Sequence, residues 1–473
     1  MSIIIPANSA VGGGFNVANS IRFDDSSSSY LQKSASGGNR RTFTFSTWVK
    51  RSTLGGGSSG YNTFFSSDQA TANSFRLTFS SNGSDDKIMT YFYTGSQQMQ
   101  LITNRVFRDI SAWYHIVVAV DTTQGTASNR TKLYVNGVQE TSFSTETYPS
   151  QNLEMSVNQS GAPNRVGAGT SLYFDGYMAE TVLLDGTAAS PTSFGEFDED
   201  SGIWKPISVS GLTFGTNGFH LNYETAAELG TDANGGTTLS ETNLTAVDQS
   251  LDTCTNNFST LNPLYKQDGV FSQGNLNYTI SASDFDSGLS TFAPSSGKWY
   301  FESKITALGG GTTRNSFGIC DERSAHFYSE SELGNNSSQT GDSVGYDGNG
   351  SGNVIKNGSS QYTNGGYGSN DILCCAVDLD NGAYYVRKNG DAWANSGNPE
   401  SGSSRTGAVT IATGEEYVFG NTAYNGSAFA MNFGSPSFAI SSGNADGDGF
   451  GNFEYAVPSG YFSLNTKNLA EYG

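Results

Sequence analysis

Charge is scarce in this sequence, and positive charge most of all. Asp, Glu, Lys and Arg make up 14% of the 473 residues, and 24 Lys and Arg stand against 44 Asp and Glu, a formal net charge of −20. A basic footprint able to displace counterions from a nucleic acid is missing, as is a basic amphipathic segment that would seek an anionic membrane. Histidine occurs only as His115, His220 and His326. Little material remains for imidazole catalysis, and no H-E-x-x-H, C-x-x-C or G-x-S-x-G pattern appears. The cysteines are Cys254, Cys320, Cys374 and Cys375. They form no metal-binding or redox spacing, and Cys374 and Cys375 point to opposite faces of an apolar strand pattern, so buried free thiols are expected. No apolar run reaches the roughly 18 residues that a spanning helix needs. The start has no basic n-region, so no signal peptide is expected and assembly in a cytoplasm is.

What the sequence does have is glycine and aromatics: 59 Gly, 30 Phe, 24 Tyr and 5 Trp. That balance suits many short strands joined by tight turns, not helices, which draw on Ala, Leu, Glu and Lys. An all-β fold is predicted. Phe43, Phe45, Thr47 and Val49 alternate onto one face, as do Phe75, Leu77 and Phe79. Residues 113–120 are apolar on both faces, the pattern of a central sandwich strand. Asn136-Gly137, between two β-rich runs, is the strongest short hairpin signal available. Two further Asn-Gly pairs, at Asn381-Gly382 and Asn389-Gly390, predict a meander. The expected organisation is an N-terminal arm over 1–18, a β-sandwich over 19–225, a polar linker over 226–253 and a second β-rich unit over 254–473.

The first unit carries residues that resemble a known family. Segments 43–52 (FTFSTWVKRS), 113–123 (WYHIVVAVDTT), 131–139 (TKLYVNGVQ) and 173–186 (YFDGYMAETVLLDG) look like the strands of a laminin-G-like, concanavalin-like jelly roll. In the second unit, 297–305 (GKWYFESKI), 317–323 (FGICDER), 344–350 (VGYDGNG) and 377–390 (VDLDNGAYYVRKNG) resemble a SPRY domain. The resemblance implies two tandem concanavalin-like antiparallel β-sandwiches. Segments 194–207, 252–264 and 452–473 are similar to stretches of bacteriophage tail-fibre and other virion proteins. This implies a virion protein, assembled in the host cytoplasm and carried on the particle. The expected function is non-enzymatic host-surface glycan recognition by a tail fibre or appendage. A capsid-decorating or head-fibre protein is the alternative, and a glycan depolymerase a third. The expected partners are other virion proteins through the N-terminal segment, a host glycan or receptor, and further copies of the chain, trimers being usual for such fibres. Neither nucleic-acid binding nor membrane insertion is expected.

Candidate chemistry is sparse. A sandwich glycosidase needs two carboxylates flanking the bond, commonly at E-x-D-x-x-E. Glu196 and Asp198 approach that pattern, but Ser201 stands where the last Glu belongs. His115 lies in an apolar strand and reads as a core histidine. No cofactor is expected, and calcium is the one candidate ion. Asn444, Asp446 and Asp448 place oxygen ligands at alternate positions, followed by Gly449, but Tyr455 occupies the position of an EF-hand's bidentate Glu. The ligand-binding residues are unknown at this level. The long Gly/Ser/Asn/Tyr-rich stretches at 54–62, 93–100 and 331–370 are candidate binding loops.

Overall fold

Strand alternation sets the two faces of each sheet. In the strand Thr42–Arg51, Phe43, Phe45 and Val49 enter the main core with Phe75, Leu77 and Phe79, while Trp48 turns to the opposite face. The computed structural model describes residues 14–473 apart from 56–59, 71–72, 80–85, 266–267, 311–314, 329–330, 336 and 349. The expected attachment arm over 1–18 lies mostly outside the described residues. The chain divides between Thr255 and Asn256 into two compact units.

The first unit is a sandwich of two antiparallel eight-stranded sheets. One runs in the order Val138–Gln139, Thr131–Val135, Trp113–Asp121, Thr42–Arg51, Gly176–Asp185, Ser20–Phe23, Gln249–Ser250, with Phe219–Leu221 also paired to Gly176–Asp185. The other runs Phe143–Thr147, Gln97–Val106, Lys87–Thr94, Asn73–Phe79, Asn62–Ala70, Pro163–Val166, Tyr30–Ser34, Ser240–Thr242. Aromatic rings interlock between them: Phe45 stacks on Phe65 with centroids 4.1 Å apart, and Phe43 meets Phe75 edge-on at 5.4 Å. The predicted hairpin closes as expected. Asn136 and Gly137 both adopt positive φ (48° and 79°), and Val135 pairs with Val138.

Residues 226–253 are not a linker. Leu229 and Leu239 are core residues, Ser240–Thr242 pairs with Tyr30–Ser34, and Gln249–Ser250 pairs with Ser20–Phe23. The polar composition that reads as a linker reflects edge strands only two or three residues long, which contribute few side chains to the core. The end of this stretch is fastened by a buried ion pair. Lys50 Nζ lies 2.7 Å from Asp252 Oδ2, and Trp113 Nε1 donates to Asp252 Oδ1 at 3.1 Å.

The second unit is likewise a sandwich. One sheet has the order Val270–Ser272, Asn277–Thr279, Ala428–Asn432, Lys298–Ala307, Ile372–Asp378, Ala383–Lys388, Val409–Thr410, with Phe462–Ser463 added in parallel to Lys298–Ala307. The facing sheet runs Phe285–Leu289, Tyr417–Tyr424, Ser316–Asp321, Ser343–Asp347, Asn353–Lys356, Ser359–Thr363. Phe301 and Phe419 stack between the sheets at 4.9 Å, with ring planes 2° apart. The predicted meander holds for one turn only. Ile372–Asp378 and Ala383–Lys388 form a hairpin through Asn381-Gly382, but Asn389-Gly390 leads into an irregular excursion before Val409–Thr410. All four cysteines are free and buried, Cys374 and Cys375 in clusters on opposite faces.

Removing one partner of a buried ion pair leaves the other charge without compensation, which costs about 3–5 kcal/mol. Asp252→Ala is therefore expected to lower the urea midpoint of the first sandwich sharply, as read by far-UV circular dichroism, while Glu241→Ala, on an exposed edge, changes it little.

Candidate functional site

The strand Gly176–Asp185 does not alternate regularly. Against Thr42–Arg51, Ala179 pairs with Trp48 and Val182 pairs with Ser46, so two residues, Glu180 and Thr181, oppose Thr47 alone. This is a β-bulge. Met178 and Leu183 face the main core, whereas Ala179 and Val182 belong to clusters on the other face of the sheet. Strict alternation would send Glu180 into the core with Met178. The extra residue, with Glu180 at φ 46°, turns the carboxylate outward instead. Thr181 anchors the bulge: its hydroxyl lies 2.9 Å from that of Thr47 and accepts the Tyr223 hydroxyl at 2.7 Å.

The adjoining strand Phe219–Leu221 completes the arrangement. Phe219 and Leu221 enter the main core, so His220 between them faces outward, level with Val182. Glu180 Oε2 and His220 Nε2 meet at 2.8 Å. The imidazole lies nearly parallel to Phe214, centroids 6.4 Å apart. Asp232 fixes the neighbouring loop by accepting the backbone N–H groups of His220 and Asn234. Glu180 and His220 line a cavity of about 330 Å³ together with Asn222, Glu224, Asn234 and the half-exposed Phe15. Its polar atoms are carboxylate, imidazole, amide and hydroxyl groups beside one open aromatic face, and no Lys or Arg lines it. Such a set can bind hydroxyl groups and stack against the C–H face of a ring.

The residues singled out from the sequence are placed elsewhere. Glu196 is exposed on the hairpin of Gly195–Phe197 with Trp204–Pro206, 3.4 Å from Lys205 Nζ. Asp198 uses its carboxylate to accept the N–H and hydroxyl of Ser201 and to meet Lys205; these hydrogen bonds hold its carboxyl at about 2. The pair therefore builds a turn.

The 444–448 loop is also bound up internally. Asp446 accepts the backbone N–H groups of Asp448, Phe450 and Ser463, the Ser463 hydroxyl and the Asn468 amide. Asn444 donates its amide to Ser442 and to the carbonyls of Phe453 and Glu454, and Asp448 accepts the Tyr472 hydroxyl. Asp446 thus staples the C-terminal segment, while the bonds of Asn444 run through its amide N–H groups and that of Asp448 through Oδ2.

Of the candidate binding loops, 93–100 is a tight turn between paired strands, and 331–370 contains the strands Ser343–Asp347, Asn353–Lys356 and Ser359–Thr363. Part of 54–62 lies outside the described residues. His326 sits in the short helix Ala325–Tyr328 of the second unit.

A different set of acids does converge. Asp24, Asp25 and Asp175 bring one carboxylate oxygen each within 4.8 Å of one another. Burial, reinforced by the charges of Asp24 and Asp25, pushes the Asp175 carboxyl up to about 7, against the Thr53 hydroxyl it accepts. A second raised acid, Glu302, lies in the other sandwich. Burial brings its carboxyl to about 7, although it accepts the N–H groups of Glu454 and Tyr455, the Tyr300 hydroxyl and the Asn432 amide.

Residues 25–192 match the profile of the concanavalin A-like lectin/glucanases superfamily, a laminin-G-type family. No curated protein sequence matches the chain. Among solved structures, the SPRY domain of human HERC1 is 15% identical with a TM-score of 0.29, covering 36% of this chain and 96% of that one. Domain 4 of AbnA, a GH43 extracellular arabinanase from Geobacillus stearothermophilus solved with arabinotriose, is 17% identical with a TM-score of 0.26, covering 34% and 68%. A SAP-like pentraxin from Limulus polyphemus is 14% identical with a TM-score of 0.28, covering 37% and 80%.

His115 is a core histidine. It is fully buried between Trp48 and Trp204, with centroids 4.9 and 5.9 Å away. Trp204 Nε1 lies 2.9 Å from His115 Nδ1, and an indole N–H can only donate, so Nδ1 is bare. The proton sits on Nε2, which donates to Ser46 Oγ at 2.9 Å. Burial holds the imidazole near 3, below its ordinary 6.5. The unfolded chain therefore takes up a proton below pH 6.5 that the folded chain refuses. Stability is fully present above that pH and falls by up to about 1.4 kcal/mol per unit below it. ¹⁵N spectra of the ring are expected to show the neutral Nε2–H form unchanged from pH 8 to 5; a titration midpoint in that range would contradict the assignment.

Proposed function

We propose that this protein is a non-enzymatic carbohydrate-binding protein of a phage particle, a tail fibre or similar appendage, which recognises a host-surface glycan through the Glu180–His220 cavity. The observation that carries the reading is that cavity. Its carboxylate is positioned by a strained bulge, its imidazole by the same carboxylate, and its amides and aromatic face match what a saccharide presents. Two further observations support it. The match over 25–192 is to a family that includes lectins, and segments 194–207, 252–264 and 452–473 resemble virion proteins. Several copies on one particle would raise avidity without a single tight site. Attachment would run through the N-terminal segment.

The purified chain is expected to bind at least one polysaccharide on an array of bacterial surface glycans, and to compete with the parent particle for host cells. Asn222→Ala and Asn234→Ala each remove one hydrogen-bonding amide, worth about 1 kcal/mol, and are expected to weaken binding about five- to tenfold with an unchanged melting temperature. No binding to array or cells would leave capsid decoration as the better reading. Release of reducing ends, lost in Glu196→Gln, would establish a depolymerase.

A further inference from the structure

Lysine seldom enters a protein interior, yet Lys50 is buried in the middle of a sheet. Register sets its neighbours. Lys50 pairs with Trp113 on one side and with Tyr177 on the other, so the three side chains stand in one row on the outer face of the sheet. Lys50 Nζ lies 5.5 Å from the centroid of the Tyr177 ring. Trp113 and Tyr177 belong to an apolar cluster with Trp48, Trp204 and Cys254.

Asp252 meets the lysine over this row. Its Oδ2 is 2.7 Å from Lys50 Nζ, both side chains are 2% exposed, and Trp113 Nε1 donates to its Oδ1 at 3.1 Å. The backbone of Asp252 is fixed as well: its carbonyl accepts the Ser20 hydroxyl at 2.6 Å, and its N–H donates to the Ser250 hydroxyl at 3.1 Å. An amine and a carboxyl group are thus held in contact, on rigid backbone, among aromatic rings. Such a placement turns a bimolecular condensation into an intramolecular one. Replacing two buried charges by one neutral amide also removes the cost of keeping them from water.

We propose that Lys50 and Asp252 become joined, after folding, by an intramolecular isopeptide bond. A proton passes from the Nζ ammonium to Oδ2 across their contact. The neutral amine then attacks Cγ and the Nζ–Cγ bond forms. Oδ1 takes the developing negative charge, and the Trp113 indole N–H already pointing at it stabilises that charge. The Cγ–Oδ2 bond breaks, and Oδ2 leaves as water with a second proton from the nitrogen. One ammonium and one carboxylate give one amide and one water, without oxidant or cofactor. The bond closes a covalent loop from Lys50 to Asp252, close to Thr255 where the first unit ends. Tension entering at that end passes to the long strand Thr42–Arg51 instead of peeling off the two-residue strand Gln249–Ser250. The bond is independent of any glycan in the Glu180–His220 cavity.

Intact mass spectrometry of the full, denatured chain tests this. The wild-type chain is expected to weigh one water molecule less than its sequence, and its tryptic digest to contain a branched peptide linking Lys50 to Asp252. Lys50→Arg keeps a cation beside Asp252 but offers no amine. It is expected to restore the full sequence mass and to run more slowly on a denaturing gel than the wild-type chain, whose closed loop cannot extend. The wild-type mass and digest are read without reference to how well the variant folds. A wild-type chain of full sequence mass, unchanged after prolonged standing in the folded state, would overturn the proposal and leave the pair a salt bridge. So would a loss of water that persists in Lys50→Arg, or a wild-type digest without the branched peptide.

Discussion

The interruption of one strand's two-residue period organises the candidate site of the first sandwich. Gly176–Asp185 is paired on one side with Thr42–Arg51 and on the other with both Ser20–Phe23 and Phe219–Leu221. Because it is central, its side chains have nowhere to go except the main core or the opposite face. One extra residue at Glu180–Thr181 lets the strand bury Met178 and Leu183 on one face while delivering a carboxylate to the other. Asp175 immediately precedes the same strand, so the cavity and the acid cluster are both products of its register.

Buried polar groups do a different job in the two sandwiches. In the first, the Lys50–Asp252 pair and the Trp204–His115–Ser46 chain are each satisfied by fixed partners, so they specify which segments lie against the sheet. In the second, Glu302 gathers two backbone N–H groups from Glu454 and Tyr455, anchoring the C-terminal segment to the strand Lys298–Ala307. Asp446 acts in the same way one turn of chain earlier, gathering five donors. Acidic residues in glycine-rich loops are thus used largely as hydrogen-bond acceptors for backbone.

Alternation made the sandwiches legible. Phe43, Phe45 and Val49, then Phe75, Leu77 and Phe79, form one core as their spacing predicts, and Asn136-Gly137 turns as its φ preferences require. The polar stretch at 226–253 was not legible as structure, because strands of two or three residues carry no apolar rhythm. The Glu180–His220 site was not legible either. A bulge leaves no local signature when the extra residue is not glycine, and His220 lies 40 positions from its partner.

Composition and periodicity therefore determined an all-β chain with two aromatic cores, because burial of alternate side chains is a property of neighbouring residues. Tertiary structure decided which acids meet and which are already spent. Asp24 and Asp175 become neighbours only through the pairing of Phe23 with Gly176, whereas Asp446 loses its freedom only through contacts with Ser463 and Asn468. Which carboxylates face one another and which gather donors depends on residues distant in sequence, and those are brought together by the fold.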